Sequence, residues 1–229
     1  DILWRFLECL PKEQTVDHVR IAVYEIIRGT AKEAVEIAHA PAGMADIFKA
    51  QPGFEGYSII EVDPVTTVSL SFWATHEQAE HAIAEAAEWV QSNLADRLRR
   101  TSNYVGDSLF WTEPQSQAGN ERVPSPEEQD MNHVRIAVYD VTKGTTKEVT
   151  ELVSAPGGLS DIFKMQPGFQ AYSTIEVDPV TCISLSFWET HEEAERAVSE
   201  AAVWTAAHTE DRVHRTSNYV GDSLFWAKP

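Results

Sequence analysis

The feature that most constrains this chain is an internal repeat. Residues 18–111 align without a gap on residues 133–226 at a constant offset of 115, with 61 identical residues in 94 positions. Two long copies do not suit a solenoid, which stacks several short units. The repeat therefore predicts a duplicated domain, with an appended segment over 1–17, a first copy over 18–112, a linker over 113–132 and a second copy over 133–229.

Composition excludes several classes of protein. The chain carries 36 acidic and 18 basic side chains, a formal charge of −18. Because a phosphate backbone must be neutralised by clustered Lys and Arg, we expect no nucleic-acid partner and no anionic membrane partner. The apolar stretch DILWRFLECL is too short and too charged for a membrane span. Cys9 and Cys182 stand in unrelated contexts, which predicts neither a disulfide framework nor a thiolate metal cluster, and favours a cytoplasmic protein.

Each copy changes its hydrophobic period in the same order. Residues 18–27 alternate with period two and predict a strand, and a helical pattern follows that is interrupted at Pro41 and Gly43. Residues 53–62 and 66–73, separated by Asp63-Pro64, predict a hairpin. A long helix opens after Thr75, and a last strand covers about 103–111.

The order β-α-β-β-α-β is the ferredoxin-like motif, present twice. Both helices then cover one face of a four-stranded antiparallel sheet, and the other face still has to be buried. Val19, Ile21 and Val23 form an apolar row on that second face. We therefore predict an α+β fold in which two ferredoxin-like domains pack sheet to sheet as an intramolecular pseudo-dimeric α+β barrel.

Several motifs resemble one known superfamily. QPGF followed by Tyr57, a hairpin that ends in SFW, and Thr-His-Glu at the start of the second helix resemble the antibiotic biosynthesis monooxygenase superfamily of dimeric α+β barrels. The resemblance covers both copies. It implies a barrel built from two such units, here fused in one chain, and a pocket between sheet and helices.

The resemblance also implies site residues. In the cofactor-free monooxygenases of this superfamily, an Asn and a Trp on the third strand and a Tyr on the second helix line the pocket. The Trp matches Trp73 and Trp188, whereas the Asn position holds Ser69 and Ser184, and the Tyr position holds alanine. The residues of the haem-degrading branch fall on Ala22, Ala82 and Ser92 in the first copy, so the sequence disfavours haem degradation.

One polar row is the strongest candidate site. His18, Arg20 and Tyr24 point to the side opposite the valine row, which is the side of the helices. Buried polar groups there need partners. Two interpretations stay open: the three residues pair with backbone or with carboxylates such as Asp107, or they line a ligand pocket together with Ser69, Ser71 and Trp73.

For the pocket we hypothesise one role per residue. His18 would act as general base, Arg20 would hold the resulting oxyanion, Tyr24 would donate a hydrogen bond and Trp73 would form an aromatic wall. The second copy repeats the set with catalytic His133, Arg135, Tyr139 and Trp188 and substrate-binding Ser184 and Ser186.

The remaining histidines do not predict a further catalytic or metal site. His76 and His191 open the second helix of each copy and are interpreted as exposed capping residues. The string HEQAEH has one residue too many for a zincin helix, and the second copy has Arg196 in place of the second histidine, so no metal site is expected. Gly106 and Asp107 suggest a structural bulge in the last strand.

The leading functional hypothesis is a small-molecule enzyme resembling cofactor-independent monooxygenases that act on phenolic or polyketide-like aromatic compounds, with no cofactor. The alternatives are a non-catalytic small-molecule binding protein of the same fold, and a protein whose pockets are filled by its own side chains. Expected partners are a small hydrophobic or aromatic ligand and the twin domain, with further self-association left open.

Overall fold

A computed structural model describes residues 18–114, 133–209 and 211–229. The appended segment and most of the linker lie outside the described residues. The first copy contains, in chain order, β1 His18–Ile26, α1 Ala31–His39, α2 Met44–Lys49, β2 Phe54–Asp63, β3 Thr66–Trp73, α3 His76–Asn93 and β4 Leu98–Thr112. The second contains β5 His133–Val141, α4 Thr146–Ser154, α5 Leu159–Lys164, β6 Phe169–Asp178, β7 Thr181–Trp188, α6 His191–His208 and β8 Val213–Ala227.

Threonine starts each of the four longer helices. Its hydroxyl accepts a hydrogen bond from the backbone N–H three residues on, which satisfies one of the free donors of the first turn. The four caps are Thr30, Thr75, Thr145 and Thr190. The first helical region of each copy is split in two, as the Pro and Gly residues predicted, and residue 42 adopts a positive φ of 61° between the two parts.

The eight strands form one closed antiparallel barrel. Their order around it is β1-β3-β2-β8-β5-β7-β6-β4. The strands of the first copy are therefore adjacent to one another, as are those of the second, and the pairs β2–β8 and β4–β6 join the two sets. The two sheets expected to pack face to face are thus continuous with each other along both sides.

The interior of the barrel is the aliphatic face predicted from strand parity. Val19, Ile21 and Val23 share one buried cluster with Val134, Ile136 and Val138, and Leu70 and Leu185 belong to it as well. Two further buried clusters, one per copy, fill the space between the outer face of the barrel and the helices. The polar row of β1 faces this outer space, so the fold positions the candidate site there.

Two details of β4 differ from expectation. The strand begins at Leu98, about five residues earlier than predicted. Gly106 pairs regularly with Val19, and the register shifts in β4 lie elsewhere, opposite Val23/Tyr24 and between Ser108 and Phe110. Gly106 is instead a site of close approach, because a Cβ there would lie 2.5 Å from the carbonyl oxygen of Glu176.

Within the described ranges, no helix has both the length and the apolar character needed to cross a bilayer.

Candidate functional site

A cavity lies between the outer face of the barrel and the helices of the first copy. Arg20, Tyr24, Tyr57 and Ser69 contribute polar groups to it from three neighbouring strands. Its free space is about 30 Å³, which is room for about two water molecules. Apart from Thr67, the rest of its lining is apolar and consists of Ala34, Ala38, Met44, Phe48, Ile59, Ala86, Trp89, Val90, Leu94 and Leu98. The site is thus a small apolar cavity with a few convergent polar groups, the usual composition of a small-molecule site.

Arg20 is the dominant electrostatic feature of this cavity. Its side chain is fully buried, and its one hydrogen bond to a described residue runs from Nη1 to Oγ of Ser69 at 3.4 Å. Nε and Nη2 have no hydrogen-bond partner among the described residues, and no carboxylate there forms a salt bridge with the guanidinium. An isolated buried charge costs several kcal/mol, so the folded chain holds a cation that an anionic group would stabilise.

Two phenols stand beside this cation. Tyr24 and Tyr57 line the cavity with Arg20, and both are buried. Burial raises the pKa of Tyr57, and the neighbouring Arg20 charge and Ser69 only partly offset this effect. Tyr57 therefore stays protonated in the physiological range and can donate a hydrogen bond, but it does not supply the missing negative charge.

The equivalent arginine of the second copy is better satisfied. Arg135 donates to Oγ of Ser184 at 3.0 Å and to the hydroxyl of Tyr139 at 3.2 Å, which leaves Nε as its unpartnered nitrogen. Burial raises the pKa of Tyr172, the counterpart of Tyr57, to about 12. The two copies thus contain the same polar groups, but Arg135 makes more hydrogen bonds than Arg20.

Two alanines of the cavity wall are replaced by larger residues in the second copy. Ala34 and Ala38 of α1 line the cavity, and the corresponding residues of α4 are Val149 and Val153, which are buried in the second helix-side cluster. Each valine carries two methyl groups that alanine lacks. At these two positions the second copy therefore places more side-chain atoms between helix and barrel than the first.

Several residues expected in the pocket lie elsewhere. The indole of Trp73 donates to Ser71 at 3.0 Å and packs against Phe48 and Phe54, and neither Trp73 nor Ser71 lines the cavity. Trp188 and Ser186 repeat this contact at 2.9 Å. Of the predicted substrate-binding serines, Ser69 alone lines the cavity described here.

His18 is also absent from the cavity lining and belongs to a different group. Its Nδ1 lies 2.8 Å from Oδ1 of Asp107, and Nδ1 of His76 lies 2.6 Å from the same oxygen. The second copy repeats the arrangement with His133, His191 and Asp222, at 2.8 and 2.7 Å. The pairing of His18 with Asp107 that the first interpretation expected is therefore observed, although the carboxylate is half-exposed rather than buried.

The charge of Asp107 is held by its two imidazole partners. Partial burial raises the pKa of this carboxyl, but the hydrogen bonds and charges of His76 and His18 outweigh burial and leave the pKa below its usual value. Asp222 behaves in the same way with His191 and His133. Both carboxylates are ionised at neutral pH and attract positively charged partners.

Sequence reasoning missed two contributors to these sites. The sequence marks Tyr57 only as part of the QPGF motif region and gives it no role in the site. In the sheet it pairs with Ser71, and it therefore shares a face with Arg20 and Ser69. His76 was interpreted as a helix cap, although it follows Trp73 by three residues and Trp73 pairs with His18. The register between neighbouring strands shows that these residues are close together. That register is set by hydrogen bonds between distant parts of the chain and cannot be seen in the local sequence.

Comparison with solved structures identifies proteins of the same fold. A candidate monooxygenase from Fusobacterium nucleatum superposes with a TM-score of 0.62 over 94% of this chain and 95% of its own, at 9% identity. An anthrone oxidase-like protein gives 0.57 over 94% of both chains at 14% identity. A haem-binding protein from Thermus thermophilus gives 0.53 over 91% of both at 14% identity.

No protein-family model matches the sequence, and no curated protein is detectably similar to it. At identities of 9–14%, the structural likeness shows a shared α+β barrel fold and leaves the chemistry to be argued from the site. The chain is thus similar across nearly its whole length to barrels described as monooxygenase, anthrone oxidase-like and haem-binding proteins.

Proposed function

We propose that the chain is a small-molecule enzyme that binds the deprotonated form of a phenolic or polyketide-like aromatic compound beside Arg20 and oxidises it with O2, without a cofactor. The observation that carries the proposal is the fully buried guanidinium with two unpartnered nitrogens. An oxyanion placed there would accept those hydrogen bonds and neutralise the charge. Tyr24 and Tyr57 would donate further hydrogen bonds to it.

The proposed reaction follows from stabilising that anion. Arg20 favours the ionised substrate, so a proton is lost to solvent and an electron-rich carbanion remains. The carbanion gives one electron to O2, and the carbon radical and superoxide combine to a peroxide anion. This anion takes a proton back from solvent to form the hydroperoxide, and loss of water leaves a new carbonyl. A CH2 group plus O2 thus becomes a C=O group plus water, which balances without an external reductant. The fold shared with a candidate monooxygenase and an anthrone oxidase-like protein supports this class of reaction.

Binding of a ring requires movement at the cavity mouth. The free space of about 30 Å³ accommodates an oxygen substituent but not an aromatic ring. Trp89, Val90 and Leu98 are half-buried members of the lining, so outward rotation of these side chains would admit the ring. Ala34 and Ala38 are the residues that keep the inner space open.

The chain is also proposed to be a fused pseudo-dimer with two unequal sites. Both halves have the same order of elements and the same internal strand order, and 61 of 94 aligned residues are identical. Because Arg135 has an additional partner in Tyr139, and because Val149 and Val153 replace Ala34 and Ala38, the first copy is proposed to hold the active site.

Non-catalytic binding is the second candidate function. It is favoured by the position of His18 outside the cavity, which leaves no histidine in the lining to act as a base. In that case the cavity would hold an organic anion without turnover.

An ionisable chromophore separates these possibilities. A nitrophenol bound beside Arg20 is expected to show its phenolate absorbance at a pH below its own pKa, because the guanidinium stabilises the anion. Arg20→Gln should abolish this band, and Ala34→Val/Ala38→Val should abolish binding while Arg20 stays intact. Ala84→Val, an exposed alanine of α3, is the matched control and should bind normally. Circular dichroism verifies that each variant is folded.

Oxygen uptake then tests catalysis. With a panel of dihydroxyaromatics and polyketide-like ketones, we expect O2 consumption by the wild type and a loss of about 100- to 1000-fold in Arg20→Gln. Arg135→Gln should have a much smaller effect. A phenolate band without O2 uptake would support the binding protein, and the absence of both signals from the wild-type protein would overturn both candidates.

A further inference from the structure

Each copy carries a second polar cluster that the cavity does not use. His18, His76 and Asp107 each offer one ligand atom, and these atoms lie within 4.8 Å of one another. His133, His191 and Asp222 form an equivalent cluster in the second copy. None of the six lines the cavity beside Arg20.

We propose that each cluster binds one divalent transition-metal ion through its two imidazoles and one carboxylate, so that the chain holds two such ions. Two histidines and one carboxylate form a recognised ligand set for Zn²⁺ and Fe²⁺ that leaves coordination positions open. The inference stands apart from the proposed oxidation, because the clusters and the cavity share no residue.

Backbone structure brings the three ligands of the first copy together. His18 is the first residue of β1 and lies opposite Asp107 in the register with β4, so both side chains point to the same face. His76 is the first residue of α3, whose start is fixed by the hydrogen bond from the Gln78 N–H to the Thr75 hydroxyl. Three separate elements thus bring the ligand side chains to one place on the surface.

In the metal-free cluster, hydrogen bonds occupy the positions at which the ligand atoms would bind a metal ion. Both Nδ1 atoms approach Oδ1 of Asp107 at hydrogen-bond distance, 2.8 and 2.6 Å. With metal–ligand bonds of about 2.0–2.2 Å, ligand atoms of one ion lie roughly 3 Å apart or more. In tetrahedral coordination the separation is about 3.3–3.6 Å, so the two nitrogens would have to move roughly 0.5–1 Å away from Oδ1 to admit the ion, and the protons of the hydrogen bonds would leave.

A second carboxylate lies near one imidazole of each cluster. Oε1 of Glu80 lies 3.7 Å from Nε2 of His76, and Oε1 of Glu195 lies 3.8 Å from Nε2 of His191. These distances are too long for a hydrogen bond, but the negative charge would favour a proton on the far nitrogen once a metal ion displaces the proton of Nδ1.

Exposure and charge are consistent with a solvent-accessible ion. The side chains of His18, His76 and Asp107 are 19, 43 and 51% exposed, so water can complete the coordination sphere. The helix dipole at the start of α3 disfavours a cation. Asp107, Glu77 and Glu80 near this end, and the net charge of −18, act in the opposite direction.

Metal stoichiometry tests the proposal on the full chain. After chelation and dialysis against Zn²⁺, elemental analysis should give about two ions per chain. His76→Gln or Asp107→Asn should lower this to about one, and His76→Gln/His191→Gln to none. His81→Ala, which alters another histidine of α3 that contacts Glu85, is the matched control and should keep two.

Titration with Co²⁺ provides a readout that stability does not affect. Tetrahedral or five-coordinate binding produces visible absorption bands, which should saturate at about two equivalents and halve in Asp107→Asn. No ion on the wild-type protein, or an ion content that His76→Gln and Asp107→Asn leave unchanged, would overturn the proposal. Neither result bears on nitrophenol binding beside Arg20, so failure of one proposal is distinguishable from failure of the other.

Discussion

Single residues at equivalent positions show how the two copies differ. Position 67 holds a threonine, whose hydroxyl donates to the carbonyl of Ile60 at 2.9 Å, and the equivalent position 182 holds a buried cysteine. Burial raises the pKa of the Cys182 thiol to about 12, with a smaller contribution from the Asp140 charge. The same position therefore contains a titratable group in one copy and a neutral group in the other.

This difference predicts how stability depends on pH. The unfolded thiol has a pKa near 9.0, so the unfolded state loses its proton first and folding stability decreases as pH rises between 9.0 and about 12. Each pH unit above 9.0 lowers the free energy of unfolding by about 1.4 kcal/mol, so the loss is about 2 kcal/mol at pH 10.5. Cys182→Thr removes this loss. Urea unfolding at pH 7.5 and pH 10.5 measures it, and equal losses in the two proteins would contradict the assignment.

At the level of elements, the sequence predicted most strands and helices but not their contacts. Alternation located β1, β2 and β3, and the threonine caps located the start of α3. The first residues of β4 were not predicted as strand, because Arg99 and Arg100 are both exposed and interrupt the alternation of polar and apolar residues. These residues become a strand only because they pair with Glu25 and Tyr24 of β1, a contact distant in sequence.

The same reason limited the prediction of the site. Strand parity correctly placed Arg20 and Tyr24 on the helix side and the valines inside the barrel. Parity cannot tell how far along a face a side chain reaches, so Trp73 and His18 were expected in the cavity that they do not line. That information depends on packing against α1, α2 and α3.

Gly106 offers a test of strand contacts. Gly106→Ala would place a methyl group 2.5 Å from the Glu176 carbonyl of β6, and backbone atoms there cannot give way cheaply. We expect a loss of about 1–3 kcal/mol in the free energy of unfolding. Gly56→Ala is the matched control, since its nearest contact is the edge of Trp226 at 3.3 Å and the second copy has Ala171 at that position. Equal effects of the two substitutions on urea midpoints would refute this explanation.

At the level of the whole molecule, the two copies share one interior. Residues of both contribute to the cluster inside the barrel, and hydroxyl pairs connect them at the joins, Ser58 with Ser223 at 2.7 Å and Ser108 with Ser173 at 2.9 Å. Neither copy can lose its structure without exposing the apolar face of the other. The described parts of the chain should therefore unfold together.

Leu70→Ala tests this cooperativity. Leu70 is fully buried in the shared interior, so we expect a loss of about 2–5 kcal/mol with a single calorimetric transition. Val65→Ala, at a side chain that is 58% exposed, should change stability by less than about 0.5 kcal/mol. Resolution of the Leu70→Ala scan into two transitions would mean that the copies unfold separately.

Closure of the barrel has a consequence for association with other molecules. A strand with one unpaired side offers a row of amides and carbonyls to any extended peptide, which is a common route to aggregation. Every described strand here has neighbours on both sides. The described sheet therefore has no edge strand that is unpaired along its whole length, and strand addition by a second molecule is restricted to segments such as residues 98–105 of β4, which pair with β1 on one side.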